Sequence, residues 1–342
     1  YHPQAGELNI TGGTIYADNG VGICIRNGAL NISDDAEIIA TGTEAGQVGD
    51  LKNQIPGKAL VVDYAKGYDH NNGETYTRTV SISGGTFQAE QGAVEVYTTE
   101  GNEVPEQFIT GGTFSSDPSA YMKQEGYKCE LVDGKYQVSA LTEDDAIAQV
   151  GEDKYFTLAE AVEKADNATV KLLQDVKENI TIAEGKTLTL DLNGKTLTSN
   201  GSHAILNQGN LTVKDSVGGG AVVCPDAGKS ALQNEPGATA TIESGKLHKN
   251  RNVDSSDYYV ITNHGKLVIN GGEIVSDSAN SSAIENGWYT PSQNTEKVYA
   301  ELTINGGTVS NNGVTANGGL YTLKNNDYGI MEIHGGSFAN TT

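Results

Sequence analysis

One phrase recurs along the chain and constrains its fold more than any other feature: an alternating apolar–polar run, then Gly-Gly, then a second short run. It reads Leu8-Asn9-Ile10-Thr11-Gly12-Gly13-Thr14-Ile15 near the start and Leu302-Thr303-Ile304-Asn305-Gly306-Gly307-Thr308-Val309 near the end. Further copies begin at Val80, Phe108, Leu267 and Ile333, and degenerate ones at Leu190 and Thr241. Alternation of period two puts one row of side chains inward and the polar row outward, as in a strand. Gly-Gly permits the positive φ that a sharp corner requires.

Anchored on the apolar residue before the turn, Leu192, Val213, Ile242, Ile269, Ile304 and Ile333 follow one another at 21, 29, 27, 35 and 29 residues. That is too short for a strand–helix–strand unit, and no helical periodicity supplies a crossover. The spacing fits one turn of a solenoid of short strands with variable loops at its corners. A third arm precedes each phrase: Ala204-Ile205-Leu206-Asn207, Ala231-Leu232-Gln233-Asn234, Val260-Ile261-Thr262-Asn263 and Ala283-Ile284-Glu285-Asn286. Each ends in Asn, which tolerates corner conformations. Stacking predicts Asn207, Asn234, Asn263 and Asn286 above one another, about 4.8 Å apart, with amides bonded along the stack. Three arms per turn make an all-β fold, a parallel β-helix solenoid.

The pattern breaks at residues 141–180. Thr157-Leu158-Ala159-Glu160 has the form of a capping box, and Leu158, Ala161, Val162 and Ala165 form a helical stripe. A short helix over about 158–166 is expected, covering the open end of a second β-helix. Residues 115–138 lose the repeat and are expected to close the first. The expected division is 1–140, the closing part of one β-helix, and 141–342, a second that begins with the helix. The first begins in mid-turn and the second ends without a cap, as in a monomeric fragment of a longer chain.

The string Tyr155-Phe156-Thr157-Leu158-Ala159-Glu160-Ala161, with Lys186-Thr187-Leu188-Thr189-Leu190-Asp191-Leu192-Asn193-Gly194, resembles the opening of pectin-lyase-like right-handed parallel β-helix modules. Gly111-Gly112-Thr113-Phe114-Ser115 with Tyr121, Gly126-Tyr127 and Tyr136 resembles their ending. Such modules occur in large surface proteins of gut-associated Gram-positive bacteria. The resemblance implies an extracellular setting, secreted or on the bacterial cell surface. It also implies adhesin-like or immunoglobulin-binding, superantigen-like roles, and it carries over no functional residue.

Composition narrows the partners. Lys+Arg 22 against Asp+Glu 44 gives a net charge of −22, which repels nucleic acid and anionic membranes. No apolar run approaches the roughly 18 residues of a membrane span, so membrane insertion is not expected. Cys24, Cys129 and Cys224 are too scattered for a disulfide framework or a metal cluster. The adjacent carboxylates, Asp34-Asp35 and Asp144-Asp145, have no arginine near them in sequence, and neighbouring strand residues face opposite ways. His248, His264 and His334 fall at different places in their turns. No catalytic, metal or cofactor site is therefore expected, although the acidic loop 252–257 leaves weak calcium binding open.

The irregular insertions are richer in signal. They carry Tyr258-Tyr259, then Trp288, Tyr289 and Tyr299, then Tyr321 and Tyr328, and in the first half Tyr64, Tyr68 and Tyr76. Solenoids align such loops along one flank, and Tyr and Trp give amphipathic contact area at small entropic cost. Either the rings seal the flank or they form a recognition surface. For the second case the candidate partner-binding residues are Trp288, Tyr289, Tyr258, Tyr259, Tyr299 and Tyr321, with Trp288 foremost. The expected function is non-catalytic binding of a host protein, with immunoglobulin as one candidate. A carbohydrate-active or carbohydrate-binding module is the alternative, and a passive spacer the third reading.

Overall fold

The computed structural model describes residues 1–2, 6–42, 57–63, 78–97, 107–253, 258–313 and 321–341. It is nearly all β, with parallel sheets and one α-helix among the described residues. The chain forms two compact units, Tyr1–Thr142 and Glu143–Thr342.

Within Tyr1–Thr142, the strands Glu7–Ile10, Gly28–Ile32, Arg78–Ala89 and Ile109–Phe114 pair in parallel, in that order. Thr14–Ala17 and Glu37–Ala40 join the same sheet through Arg78–Ala89, which runs through the glycine corner without a break. Val21–Ile25, Lys58–Asp63 and Gly92–Tyr97 form a second parallel sheet. Leu30, Ile32, Ile82, Phe87, Ile109 and Phe114 fill the interior, and the last two phenylalanines of this set stack with centroids 4.9 Å apart. Parallel pairing stops at a hairpin. Asp133 (φ 50) and Gly134 (φ 77) supply the two positive φ values of a tight turn. Lys135–Ala140 then pairs antiparallel with both Tyr127–Val132 and Ile109–Phe114.

Within Glu143–Thr342 the chain visits three sheets in rotation. The first runs through Ala168–Leu172, Thr187–Asp191, Asn210–Lys214, Thr239–Ile242, Lys266–Ile269, Ala300–Ile304 and Gly329–Ile333, all parallel. The second runs from Val176–Lys177 to Ser337–Asn340, and the third from Ile180–Ile182 to Leu323–Asn325. Register explains the apolar pattern. Leu197, Val222, Leu247, Ile274 and Val309 lie in one row, and Ile180, Ile205, Leu232, Ile261 and Ile284 in another. All ten side chains are buried in one cluster, so the rows of successive parallel strands share one apolar core.

One expected anchor moves. Val213 pairs with Leu190, not Leu192. Both leucines are buried, and a shift of two residues keeps the same side chains inward, so alternation alone could not choose between them.

The Gly-Gly pairs divide their labour, as Gly306-Gly307 illustrates. Gly307 has φ 83, the conformation that glycine alone adopts without strain. A Cβ on Gly306 would lie 2.5 Å from the Asn270 carbonyl oxygen of the circuit beneath, so here the absent side chain permits close approach.

The helix spans Leu158–Lys164, two residues short of the expected end. Thr157 Oγ1 accepts from Glu160 N at 3.2 Å. Leu158, Ala161, Val162 and Ala165 are buried in the core cluster of this unit. Two side chains from positions flanking strands clamp the helix ends. Glu178 accepts from Leu158 N and Ala159 N, both at 3.1 Å, where a carboxylate complements unpaired N–H groups. Lys186 Nζ donates to the carbonyls of Val162 (2.9 Å), Glu163 (2.5 Å) and Ala165 (2.8 Å) at the other end.

Candidate functional site

The third sheet of Glu143–Thr342 carries two adjacent columns. The first is the asparagine column. Asn207 Nδ2 donates to Asn234 Oδ1, Asn234 to Asn263, and Asn263 to Asn286, each at 2.7 Å. The column continues to Asn325, again at 2.7 Å, a fifth rung that the sequence did not disclose. Asn207, Asn234, Asn263 and Asn286 also donate to the carbonyls of Thr239, Lys266, Glu301 and Ile330, which ties each corner to the next circuit of the first sheet.

The neighbouring column holds the residue before each asparagine: Leu206, Gln233, Thr262, Glu285 and Lys324 in register. Around its last three members the aromatic insertions converge. Tyr258 is hydrogen-bonded to Thr262, and its ring meets Tyr259 edge-on at 5.0 Å. Tyr259 donates its hydroxyl to Glu285, which also accepts from Asn326 Nδ2 at 2.7 Å and from the Tyr289 backbone N–H. Lys324 Nζ stands 4.2 Å from the Tyr289 ring centroid and 6.0 Å from that of Tyr259.

Burial tunes these groups. Glu285 is 3% exposed, and loss of water pushes its carboxyl up to about 7 despite Lys324, Asn326, Tyr259 and the Tyr289 N–H, which favour the anion. Burial likewise raises the Tyr259 and Tyr258 hydroxyls, with Glu285 adding to it. Burial lowers His264 to about 4, so its imidazole is neutral near pH 7.

The six sequence candidates divide. Tyr258, Tyr259 and Tyr289 meet in the cluster just described. Trp288, foremost in the sequence, is only 9% exposed and lies flat on His264, ring centroids 3.8 Å apart and planes within 3°. Its ring packs on the corner below, which leaves it little surface. The buried Trp288 Nε1 has no hydrogen-bond partner among the described residues. Tyr299 is 58% exposed and pairs edge-on with Tyr328 at 5.6 Å, outside the cluster's contacts. Tyr321 is 57% exposed, and its carbonyl accepts from Ala283 N and Asn311 Nδ2, both at 3.1 Å. The aromatic insertions therefore both seal the flank and leave rings exposed. Tyr64, Tyr68 and Tyr76 lie outside the described residues.

Sequence reasoning missed Glu285, Lys324, Asn326 and His264. A signal existed: within an arm otherwise held by Leu, Gln and Thr, Glu285 is the first charge. Lys324 sits in Leu323-Lys324-Asn325, a fifth arm hidden by the loss of the leading Ala-Ile.

The adjacent acidic pairs lie outside this cluster. Asp34 takes a corner conformation, φ 50, and Asp144 lies in a short 3-10 turn whose carbonyl accepts from Gln174. Asp34 and Asp35 also line a groove of about 570 Å³ with Glu37, without an aromatic side chain. Among the described residues no group of three or more His, Cys, Asp or Glu side chains could hold a metal ion. Residues 254–257 of the acidic loop lie outside the described residues. No family model, curated protein or solved structure matches the chain.

Proposed function

We propose that this chain is a non-catalytic binding module, a parallel β-helix solenoid of three short strands per turn that recognises a host protein through its aromatic flank. Rotation of the chain through three parallel sheets in constant register supports the solenoid. The observation that carries the binding reading is Tyr289, 72% exposed and held in place by Lys324 beneath its ring and by its own N–H on Glu285. A large ring fixed by its neighbours loses little entropy on contact, which is what an interface anchor needs. The resemblance to surface-protein modules supports a bacterial cell-surface or secreted setting and immunoglobulin as a first candidate.

The protein should be immobilised and challenged with immunoglobulin and, separately, with mucin glycans. Retention of immunoglobulin that Tyr289→Ala reduces at least tenfold, at an unchanged denaturation midpoint, supports the reading. Retention of neither, or retention indifferent to Tyr289→Ala and Tyr321→Ala together, sinks it.

A glycan-cleaving role is the second reading, favoured by the Glu285 carboxyl near 7, a property of general acids. Hydrolysis takes two carboxylates, and the groups bonded to Glu285 are a phenol, an amide and a backbone N–H. Reducing-sugar release abolished by Glu285→Gln would establish this second reading over the first.

A further inference from the structure

Lys324 occupies the aromatic cluster of its own chain. Its ammonium lies within cation–π range, about 6 Å, of two rings, at 4.2 Å from Tyr289 and 6.0 Å from Tyr259. Glu285, its register partner on the adjoining strand, adds a carboxyl on the same side. Two rings, a carboxyl and the Asn326 amide thus form a box whose present occupant is a cation. Tyr289 leaves one wall of that box open to solvent.

The strand Leu323–Asn325 is held by backbone pairing and by the amide column, so Lys324 can leave the box by rotating its side chain alone. A lysine stem has four rotatable carbons and a strongly hydrated head, whereas a guanidinium is planar, weakly hydrated and stacks on aromatic faces. The chain's net charge of −22 draws cationic groups toward it over a longer range.

We propose that the box is a receptor for a cationic side chain, the guanidinium or ammonium of a basic segment on a partner protein, and that Lys324 is its internal stand-in. This deepens the binding-module reading and rests on it, and it names the chemistry that the flank would recognise. Lys324 keeps Tyr289 oriented and Glu285 balanced until the partner's cation takes its place. Arginine is favoured over lysine, since it competes with the resident ammonium through better stacking.

The test uses the whole chain and three small probes: Nα-acetyl-arginine amide, Nα-acetyl-lysine amide and the neutral Nα-acetyl-norleucine amide. Trp288, the only tryptophan, adjoins Tyr289 and reports by its emission. Lys324→Ala is expected to bind the arginine probe at least tenfold more tightly than the wild type. The norleucine probe should not bind, and adding Tyr289→Ala should abolish the gain. Equal affinity in wild type and Lys324→Ala, or binding of norleucine as tight as arginine, overturns the proposal.

Should Lys324→Ala not fold, the wild-type protein can be reductively methylated with ¹³C-formaldehyde. The dimethyl-Lys324 signal is expected upfield of the other lysines through the Tyr289 ring current, and to return when the arginine probe is added. A random-coil position for that signal overturns the proposal as well. An arginine-binding box in a protein that retains neither immunoglobulin nor mucin keeps the box and removes the partner reading. Retention of immunoglobulin without arginine binding does the reverse.

Discussion

Two columns one residue apart on the third sheet of Glu143–Thr342 carry opposite patterns. One is asparagine at five successive levels, Asn207, Asn234, Asn263, Asn286 and Asn325. The other, Leu206, Gln233, Thr262, Glu285 and Lys324, never repeats a residue. The asparagine side chains bond to each other and to backbone carbonyls of the first sheet, and the first four are fully buried, where an amide with its partners filled admits no substitute. The neighbouring column has no such obligation, so it is free to differ at each level. Sameness marks what holds the fold, and difference marks where recognition can be built.

The comparison breaks most severely at its middle rung. Asn263→Ala removes donations to Asn286 and Glu301 and leaves Asn234 Nδ2 without its Asn263 acceptor. Unsatisfied buried groups cost about 1–3 kcal/mol each, so a loss of about 4 kcal/mol is expected. Denaturant unfolding checks it, and a loss under about 1 kcal/mol would remove the column from its structural role.

Glu285 gives the next effect, and its sign follows from the direction of its shift. A carboxyl raised from 4.5 to about 7 destabilises the fold only when ionised. The penalty is absent below about pH 4.5 and complete above about pH 7, reaching roughly 3 kcal/mol. His264, lowered to about 4, acts oppositely: its penalty is absent above about pH 6.5 and grows as the pH falls toward 4. Glu285→Gln should therefore be more stable than wild type above pH 7, keeping only the acid-side loss. Unfolding midpoints from pH 4 to 8 that are parallel in the two proteins would contradict the shift.

Trp288→Phe probes the packing beside the column. It removes a buried N–H without a partner among the described residues but also gives up ring area on His264, and these oppose each other. A stability change within about 1 kcal/mol is expected by thermal unfolding. The smallest effect belongs to Tyr289→Ala, under about 0.5 kcal/mol, because its ring is largely exposed.

The sequence disclosed the framework because the framework repeats. Period-two alternation, paired glycines and terminal asparagines predicted parallel strands and four of the five amide rungs. The Leu190–Val213 pairing escaped it because Leu190 and Leu192 share an inward face. The helix was legible from its stripe, but its clamps were not: Glu178 and Lys186 bond to groups 19 or more residues away along the chain. The candidate site was half legible for the same reason. Tyrosines in insertions stand out by composition, whereas Glu285, Lys324 and Asn326 become a group only when two adjoining strands are laid side by side. The burial of Trp288 was not legible either, because rarity in a sequence says nothing of exposure, and its ring lies on His264.

The central claim is that recognition resides in the non-repeating column and the rings it holds. Its most direct test sets Tyr289→Ala beside Val217→Ala, a residue of matching exposure, 72% against 70%, in a corner loop away from the cluster. Affinity for immunoglobulin should be measured for both at equal folded concentration. The account predicts at least a tenfold loss for Tyr289→Ala and no change for Val217→Ala. Equal losses, or a loss confined to Val217→Ala, would contradict it.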